Sequence, residues 1–324
     1  MKLLSEFKEK FDREINIYFD EKIKSTKKLD KKATDLYEII KEFVKNGGKR
    51  LRPAIFYYSF SSYFPQNSAK ILKLSFVFEL FHSFALIHDD IIDNSDLRRG
   101  KPTIHKKYDL STAILAGDLA LMLADEIFSQ GINEPKIIDL YNEFKQELLV
   151  GEYLDTIKIN DVDKIMELKT ARYTFVKPAM IALHLAKANQ KEIDNWEKIL
   201  RETGILFQMK DDLDGTFADE KSLGKPIDSD LKEGKSTLVV EKFLKKSNNE
   251  EKKRFYSFFG KQNYKNEDLV WYKKTLIRYK IDDEIKNKIA NESIEIENKL
   301  KLYFKNKILT KLMKEILNYF QSTT

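Results

Sequence analysis

The sequence predicts an all-α fold, and three observations lead to this prediction. Only 11 Gly and 6 Pro occur among 324 residues, too few for the frequent turns of a short-stranded β fold. Apolar residues recur with helical periodicity along the chain. No internal repeat, low-complexity segment or linker rich in Gly, Ser or Pro interrupts that pattern. We therefore expect one domain over residues 1–324, built as a large bundle of long helices.

The periodicity and the end signals place the helices. One runs over 33–46 and ends at Asn46-Gly47-Gly48, which suits a C-terminal cap. Another runs over 69–93 after the cap pair Asn67-Ser68 and is apolar almost all round, which predicts a central, buried position. Further helices are expected at 111–130 (with Gly131 past its end), 137–157, 161–188, 191–214 and 236–246, and in amphipathic segments from about 248 to 320. The stretches 94–107 and 215–235 are expected to be loops.

Composition excludes several classes of protein. The chain has 58 Lys and Arg against 52 Asp and Glu, a net charge of +6 with both signs interspersed, whereas a nucleic-acid binder would show clustered basic charge. Zero Cys excludes disulfides, thiolate metal sites and Cys nucleophiles. The longest mainly apolar stretches contain Asp or His and fall short of the about 20 residues that span a bilayer. We expect a cytoplasmic protein without a nucleic-acid partner or stable membrane insertion.

A cluster of carboxylates ends the apolar helix at 69–93. Asp89 and Asp93 are four residues apart and lie on one helix face, whereas Asp90 points about 100° away. Carboxylates at a helix C-terminus oppose the helix dipole, so folding gains nothing obvious from them. Oxygen ligands of this kind suit Mg²⁺, which binds through carboxylates and substrate phosphates. Alone, the cluster could equally be a solvated helix end.

A second cluster, Asp211-Asp212-Leu213-Asp214, ends another apolar helix, and this pairing favours a shared ligand site. Basic residues follow or flank both clusters, several of them beside Gly, where the backbone can approach phosphate oxygens. These candidate anion-binding residues are Lys49, Arg52, Arg98, Arg99, Lys225 and Lys235. Carboxylates and cations at the mouth of an apolar interior indicate a ligand with a diphosphate head and a hydrocarbon tail.

Together these motifs resemble the trans-isoprenyl diphosphate synthase (polyprenyl synthetase) family. The resemblance covers about residues 40 to 240 and rests on GGKRLRP (47–53), LFHSFALIHDDIIDNSDLRRGKPTIH (80–105), AGDLAL (116–121), KTARYTF (169–175), GILFQMKDD (204–212) and GKPIDSDLKEGKSTL (224–238). It implies an all-α bundle around a central cavity. Two departures stand out: the second aspartate motif has Gly215 at its usual last aspartate, with Asp214 one residue early, and Glu152 follows Gly151 where the family often has Gln.

The resemblance implies a reaction of ionisation, condensation and elimination. Asp89, Asp93 and Asp211 are expected to hold Mg²⁺, implied as three ions per site with Mn²⁺ as a substitute, and Asp214 is left open as a ligand. The allylic diphosphate (dimethylallyl, geranyl or farnesyl) is expected to be neutralised by Arg98, Lys169 and Lys235, with help from Lys225. Thr170, Gln208 and the Lys169 carbonyl are expected to steady the allylic cation. Isopentenyl diphosphate is expected to bind Lys49, Arg52, His82 and Arg99. A homodimer is implied as well.

Two positions on the first motif helix bear on the length of the product. Phe84 lies five residues before Asp89, about 7.5 Å deeper at about 1.5 Å per residue, and the small Ala85 lies four before it. This pattern resembles archaeal-type geranylgeranyl (twenty-carbon) synthases. Ordinary core packing is the alternative for Phe84, and a satisfied core histidine is the alternative for His82.

Three other functions remain open from the residues. A farnesyl or mixed-product synthase is the nearest alternative. A class I terpene cyclase shares the bundle and the first motif, but it would normally lack the second aspartate pair and the second diphosphate site. A non-catalytic helical subunit would tend to have lost acidic or basic residues that are present here.

Overall fold

The computed structural model describes residues 1–66, 68–159, 161–217, 229–261, 263–304 and 307–322. Its helices confirm the predicted all-α class. In chain order they are α1 (Lys2–Thr26), α2 (Thr34–Lys45), α3 (Leu51–Ser61), α4 (Ser68–Ile92), α5 (Ile104–Lys107), α6 (Leu110–Gly131), α7 (Pro135–Thr156), α8 (Val162–Met166), the π-helix Glu167–Val176, α9 (Lys177–Leu185), α10 (Gln190–Phe217), α11 (Ser229–Glu233), α12 (Leu238–Lys246), α13 (Asn249–Phe258), α14 (Asn266–Arg278), α15 (Ile281–Tyr303) and α16 (Ile308–Ser322).

The chain divides into two compact units by its internal contacts. Unit 1 comprises Met1–Tyr141, Pro178–Ile193 and Asn306–Glu315, and unit 2 comprises Asn142–Lys177, Asp194–Lys305 and Ile316–Thr324. Each unit contains one of the two aspartate clusters, with Asp89 in the first and Asp211 in the second.

In unit 1, α4 is the central helix and packs most extensively on α6. The buried face of α6 includes the small residues Ala113, Ala116, Gly117, Ala120 and Ala124, followed toward its C-terminal end by Leu123, Ile127 and Phe128. The small side chains allow two helix backbones to approach closely. At both ends of the contact a methyl group in place of a glycine hydrogen would touch α4: at Gly117 it would meet His88, and at Gly131 it would meet Leu74.

The segment Ala69–Ile92 of α4 is long and apolar enough to cross a membrane by length and composition, which the sequence-based expectation had excluded. Within the described residues this is the one such helix, and 72% of its apolar 18-residue stretch is buried inside the protein. Burial of this extent is typical of a core helix, which is apolar all round because every face is covered.

Unit 2 has an aromatic core between its later helices. Phe243 of α12 packs on Phe255 of α13, with ring centroids 4.9 Å apart, and on Tyr272 of α14, at 5.1 Å. Trp196 of α10 stacks on Phe304 at 4.0 Å. These contacts explain why the segment after residue 240, which carries no site motif, is needed for packing.

Most helix predictions agree with the structure to within a few residues, and several points differ. The helix α3 was not predicted, and α11 lies within the predicted loop 215–235, into which the end of α10 also extends. The segment 161–188 is not one α-helix, because the π-helix Glu167–Val176 interrupts it. The long helix α1 was not predicted, although Leu4, Phe7, Phe11 and Ile15 form an apolar stripe that the structure buries. The predicted loop 94–107 contains a two-stranded hairpin, β1 (Leu97–Arg98) and β2 (Lys101–Pro102), and the short helix α5. The Asn67 cap lies outside the described residues.

Candidate functional site

The end of α4 presents two carboxylates on one face. The Asp93 amide donates to the Asp89 carbonyl at 2.9 Å, so the helical turn continues past the end of α4 and keeps the two side chains in register. Both residues are partly exposed. This geometry agrees with the predicted pairing of Asp89 and Asp93.

Asp90 lies on the other side of the same turn and is buried. Its Oδ1 accepts from Arg98 Nε at 2.7 Å, while Arg98 Nη2 donates to Asp89 Oδ2 at 2.9 Å. Burial raises the pKa of Asp90 to about 6, although Arg98 opposes that rise. Arg98 therefore ties two of the acids of the motif together.

The hairpin that follows α4 positions Arg98 and Arg99. Arg98 pairs with Lys101 in the antiparallel ladder, and the turn between them has φ values of 54° at Arg99 and 76° at Gly100. Left-handed backbone of this kind is tolerated by Gly and uncommon in other residues. As a result Arg98 and Arg99 leave the turn in different directions, one to the aspartates and one to the glycine loop.

Gly47 and Gly48 form a cradle for Arg99. Both have left-handed φ values, 106° and 109°, and Arg99 Nη1 donates to the Gly47 carbonyl at 2.6 Å. A Cβ on Gly48 would lie 2.9 Å from Arg99 Nη2, so any other side chain would displace the guanidinium. The glycines thus permit close approach of an arginine, in addition to the approach of phosphate that the sequence suggested.

Arg50 is a structural arginine that the sequence did not distinguish from its basic neighbours. It is 2% exposed, donates from Nε to Asp12 at 2.7 Å and from Nη2 to the Val44 carbonyl at 2.6 Å, and pairs with the buried Glu79. It fixes the loop from inside, while Lys49 is exposed and Arg52 partly exposed on either side of it. The signal that could have found it is Glu79, an acid within the apolar run of α4.

His82 lies two helical turns before Asp89 on α4, in the electrostatic field of arginines. Burial lowers its pKa well below the usual 6.5, and Arg52 and Arg99 lower it further. The imidazole is therefore neutral at pH 7 and offers one N–H donor. Arg52 and Arg99, two of the residues predicted with Lys49 and His82 for the second diphosphate, are therefore close enough to His82 to act on its charge.

Phe84 is 7% exposed and lies among aromatic rings of its own helix. Its ring centroid is 5.4 Å from that of Phe81 and 4.7 Å from that of His88. A Cβ on Gly117 of α6 would lie 2.3 Å from His88 Nε2, so the glycine leaves the space that the imidazole occupies. The small Ala85 beside Phe84 is partly exposed.

In unit 2, Lys169 and Thr170 lie on the π-helix, a rare conformation that is frequent at functional sites. The Thr170 hydroxyl donates to Gln208 Oε1. Gln208 Nε2 donates to Asp212 Oδ1 at 2.7 Å, and the Leu238 amide donates to Asp212 Oδ2 at 2.8 Å. Because Thr170 donates its proton, its oxygen presents lone pairs, the negative dipole end expected near a developing cation.

The second aspartate cluster separates into three roles. Asp211 is exposed at the surface of unit 2. Asp212 is buried, which raises its pKa to about 7 against the opposing effect of its bonds from Gln208 and Leu238. Asp214, left open as a metal ligand, pairs with Lys210, which is 1% exposed. The early aspartate of this chain therefore neutralises a buried lysine.

The remaining predicted cations also have acidic partners. Lys169 Nζ lies 2.6 Å from Asp155 Oδ2 and 2.7 Å from Glu152 Oε2. Lys235 Nζ lies 2.6 Å from Glu233 Oε2. Lys225 lies outside the described residues. Across the described ranges, no group of three or more His, Cys, Asp or Glu side chains is arranged to hold a metal ion.

Comparison with known proteins agrees with these motifs. The family model for polyprenyl synthetases matches residues 33–276. The chain is 33% identical to the geranylgeranyl diphosphate synthase of Sulfolobus acidocaldarius over 82% of its own length and 85% of the relative's. It is 32% identical to a short chain isoprenyl diphosphate synthase of Methanocaldococcus jannaschii, over 80% of each chain.

Solved structures are similar over nearly the whole chain. A geranylgeranyl pyrophosphate synthase from Corynebacterium glutamicum, complexed with isoprenyl diphosphate and magnesium, superposes with a TM-score of 0.85 at 25% identity, covering 97% of this chain and 99% of that one. A geranylgeranyl pyrophosphate synthetase from Pyrococcus horikoshii gives a TM-score of 0.82 at 28% identity, covering 99% and 98%.

Proposed function

The chain belongs to the polyprenyl synthetase family, and on this premise we propose that it condenses isopentenyl diphosphate with allylic diphosphates to make geranylgeranyl diphosphate. It is a prenyltransferase like its relatives. One observation carries the proposal for this chain: within unit 1, Asp89 and Asp93 share a helix face, and Arg98 and Arg99 join that helix end to the glycine loop. Such a group suits substrates that carry diphosphates.

The donors fit Mg²⁺. Asp89, Asp93 and Asp211 offer only carboxylate oxygens, the ligands that this hard cation prefers, and Asp90 Oδ2 is buried without a hydrogen-bond partner. We propose that the first three residues hold the ions, three per site, with Mn²⁺ as a substitute. When bound, Mg²⁺ neutralises diphosphate charge and makes it a better leaving group. The same ion in the C. glutamicum relative supports this assignment.

The chain's own residues then divide the work. Arg98, Lys169, Lys225 and Lys235 hold the allylic diphosphate by charge. Its C–O bond breaks, and Thr170 and Gln208 turn oxygen dipoles toward the allylic cation that remains. The double bond of isopentenyl diphosphate, held by Lys49, Arg52, His82 and Arg99, forms the new C–C bond. The departing diphosphate takes the proton whose loss restores the double bond.

The proposed product length rests on Phe84. Its ring is buried about one and a half helical turns below Asp89, at about 5.4 Å per turn, and it is held by Phe81 and His88. A ring at this depth would stop a growing chain, while the small Ala85 leaves room beside it. Three of the similar proteins, from S. acidocaldarius, C. glutamicum and P. horikoshii, are geranylgeranyl diphosphate synthases, which supports the twenty-carbon product.

The test is direct. The purified protein is incubated with labelled isopentenyl diphosphate, Mg²⁺ and dimethylallyl, geranyl or farnesyl diphosphate, and the chain lengths are measured by chromatography. We expect geranylgeranyl diphosphate, and no product with EDTA. Fifteen-carbon or mixed products would instead support the farnesyl or mixed-product alternative. A cyclic hydrocarbon from an allylic diphosphate alone would support a terpene cyclase.

We also propose a homodimer that acts in the cytoplasm as a single domain, without a membrane or nucleic-acid partner. Large apolar side chains on α6 are exposed, with exposures of 41% at Ile114, 56% at Leu115 and 65% at Met122. A second copy would cover such a face. Light scattering after gel filtration measures the mass, and Met122→Lys should shift it toward the monomer.

A further inference from the structure

Two carboxylates of one helix, α7, hold the ammonium of Lys169. Nζ lies 2.6 Å from Asp155 Oδ2 and 2.7 Å from Glu152 Oε2. These two acids are three residues apart on α7 and therefore lie on the same helix face. The three side chains are 20%, 13% and 26% exposed, so the cluster is partly shielded from water.

The backbone brings α7 and the π-helix close together at this point. A Cβ on the buried Gly151 would lie 2.9 Å from Lys169 Cγ and 3.0 Å from Leu168 Cβ. The glycine thus lets the aliphatic stem of Lys169 lie against α7, directly beside Glu152. The ammonium is oriented by this packing and by Asp155, so the carboxylate of Glu152 is not needed to place it.

Glu152 changes the charge of the cluster. One ammonium and one carboxylate would be neutral, whereas Lys169 with Asp155 and Glu152 carries a formal charge of +1 − 2 = −1. An anion that approaches Lys169 must either displace the two carboxylates from the ammonium or share the ammonium with them. In a partly buried place such repulsion is screened less than at an open surface.

We infer that Glu152 acts through Lys169 and weakens the binding of the allylic diphosphate by that ammonium. This inference rests on the proposed function, in which Lys169 binds that group. A second carboxylate on the ammonium raises the KM for the allylic substrate and lets the diphosphate of the finished product leave more easily. Isopentenyl diphosphate, held by Lys49, Arg52, His82 and Arg99, is unaffected.

Glu152→Gln tests the inference because it removes the charge and keeps the shape. We expect the KM for geranyl diphosphate to fall by about two- to five-fold, the range of a single partly exposed ion pair, with no change in the KM for isopentenyl diphosphate. Calorimetric titration with an allylic thiolodiphosphate, which does not ionise, should show the same gain in affinity. If Glu152 had only a structural role, Glu152→Gln would lower the melting temperature and would not separate the KM for geranyl diphosphate from that for isopentenyl diphosphate.

The matched control is Glu167→Gln. Glu167 begins the same π-helix and its carboxylate pairs with Arg201 at 3.0 Å, so this variant removes a nearby ion pair and should keep the wild-type constants. An unchanged or higher allylic KM in Glu152→Gln, or an equal drop in Glu167→Gln, would overturn the inference. Failure of the wild-type protein to make any prenyl product would contradict the proposed function instead.

Discussion

Replacing Phe84 with Ala should lengthen the product. Phe84 lies five residues before Asp89, about 7.5 Å deeper at about 1.5 Å per residue, and in the proposed function its ring is the floor of the space for the growing chain. The next ring on α4 is Phe81, whose centroid is 5.4 Å from that of Phe84. Removing the Phe84 ring therefore opens roughly the depth of one five-carbon unit, and the main product should gain one such unit.

The same substitution carries a stability cost, which the assay has to separate from the effect on length. Deleting a buried phenyl ring costs about 3–5 kcal/mol, so products are compared at a temperature where the variant is folded by circular dichroism. Phe128→Ala is the matched control, because Phe128 is 6% exposed against 7% for Phe84 and stacks on Tyr141. It should lose comparable stability and keep its product. Unchanged chain lengths in Phe84→Ala would refute the assignment of Phe84 as the floor.

Three further predictions concern unit 1. Arg50→Gln leaves the buried Glu79 without its partner and should lower the free energy of unfolding by about 3–5 kcal/mol, measured by urea denaturation. For His82 the folded pKa lies below the unfolded value of 6.5, so the unfolded state binds more protons and stability falls as pH drops below about 6.5; urea midpoints at pH 5.5 and 7.5 should differ less in His82→Asn. Gly117→Ala places a methyl group 2.3 Å from His88 Nε2 and should lower the melting temperature, at a cost of about 1–3 kcal/mol.

Apolar spacing and end signals predicted most of the long helices, although not α1. The bounds of α2, α4 and α10 agree with the predicted ones to within a few residues. The π-helix escaped prediction because its wider hydrogen-bond register leaves a run such as Glu167–Val176 looking helical in sequence. The sequence pattern predicts which residues are buried. It does not predict which carbonyl group accepts a hydrogen bond from each amide.

The sequence could indicate which residues belong to the candidate site. It could not indicate which hydrogen bonds and ion pairs those residues form. Spacing alone put Asp89 with Asp93 and brought the basic residues near them. The hydrogen bonds from Arg98 to Asp89 and Asp90 depend on the hairpin turn at Arg99 and Gly100. Likewise, the ion pairs of Lys169 with α7 form because the π-helix and α7 approach each other at Gly151. No local sequence pattern predicts that approach.

The small residues along the buried face of α6 restrict how this enzyme can evolve. At the four alanines and Gly117, only an Ala→Gly change would remove a methyl group, and every other substitution would add bulk to a buried helix face. Selection for longer prenyl chains therefore gains more space on the opposing helix, where Phe84 carries a whole phenyl ring. Selection for shorter chains is free to use either side.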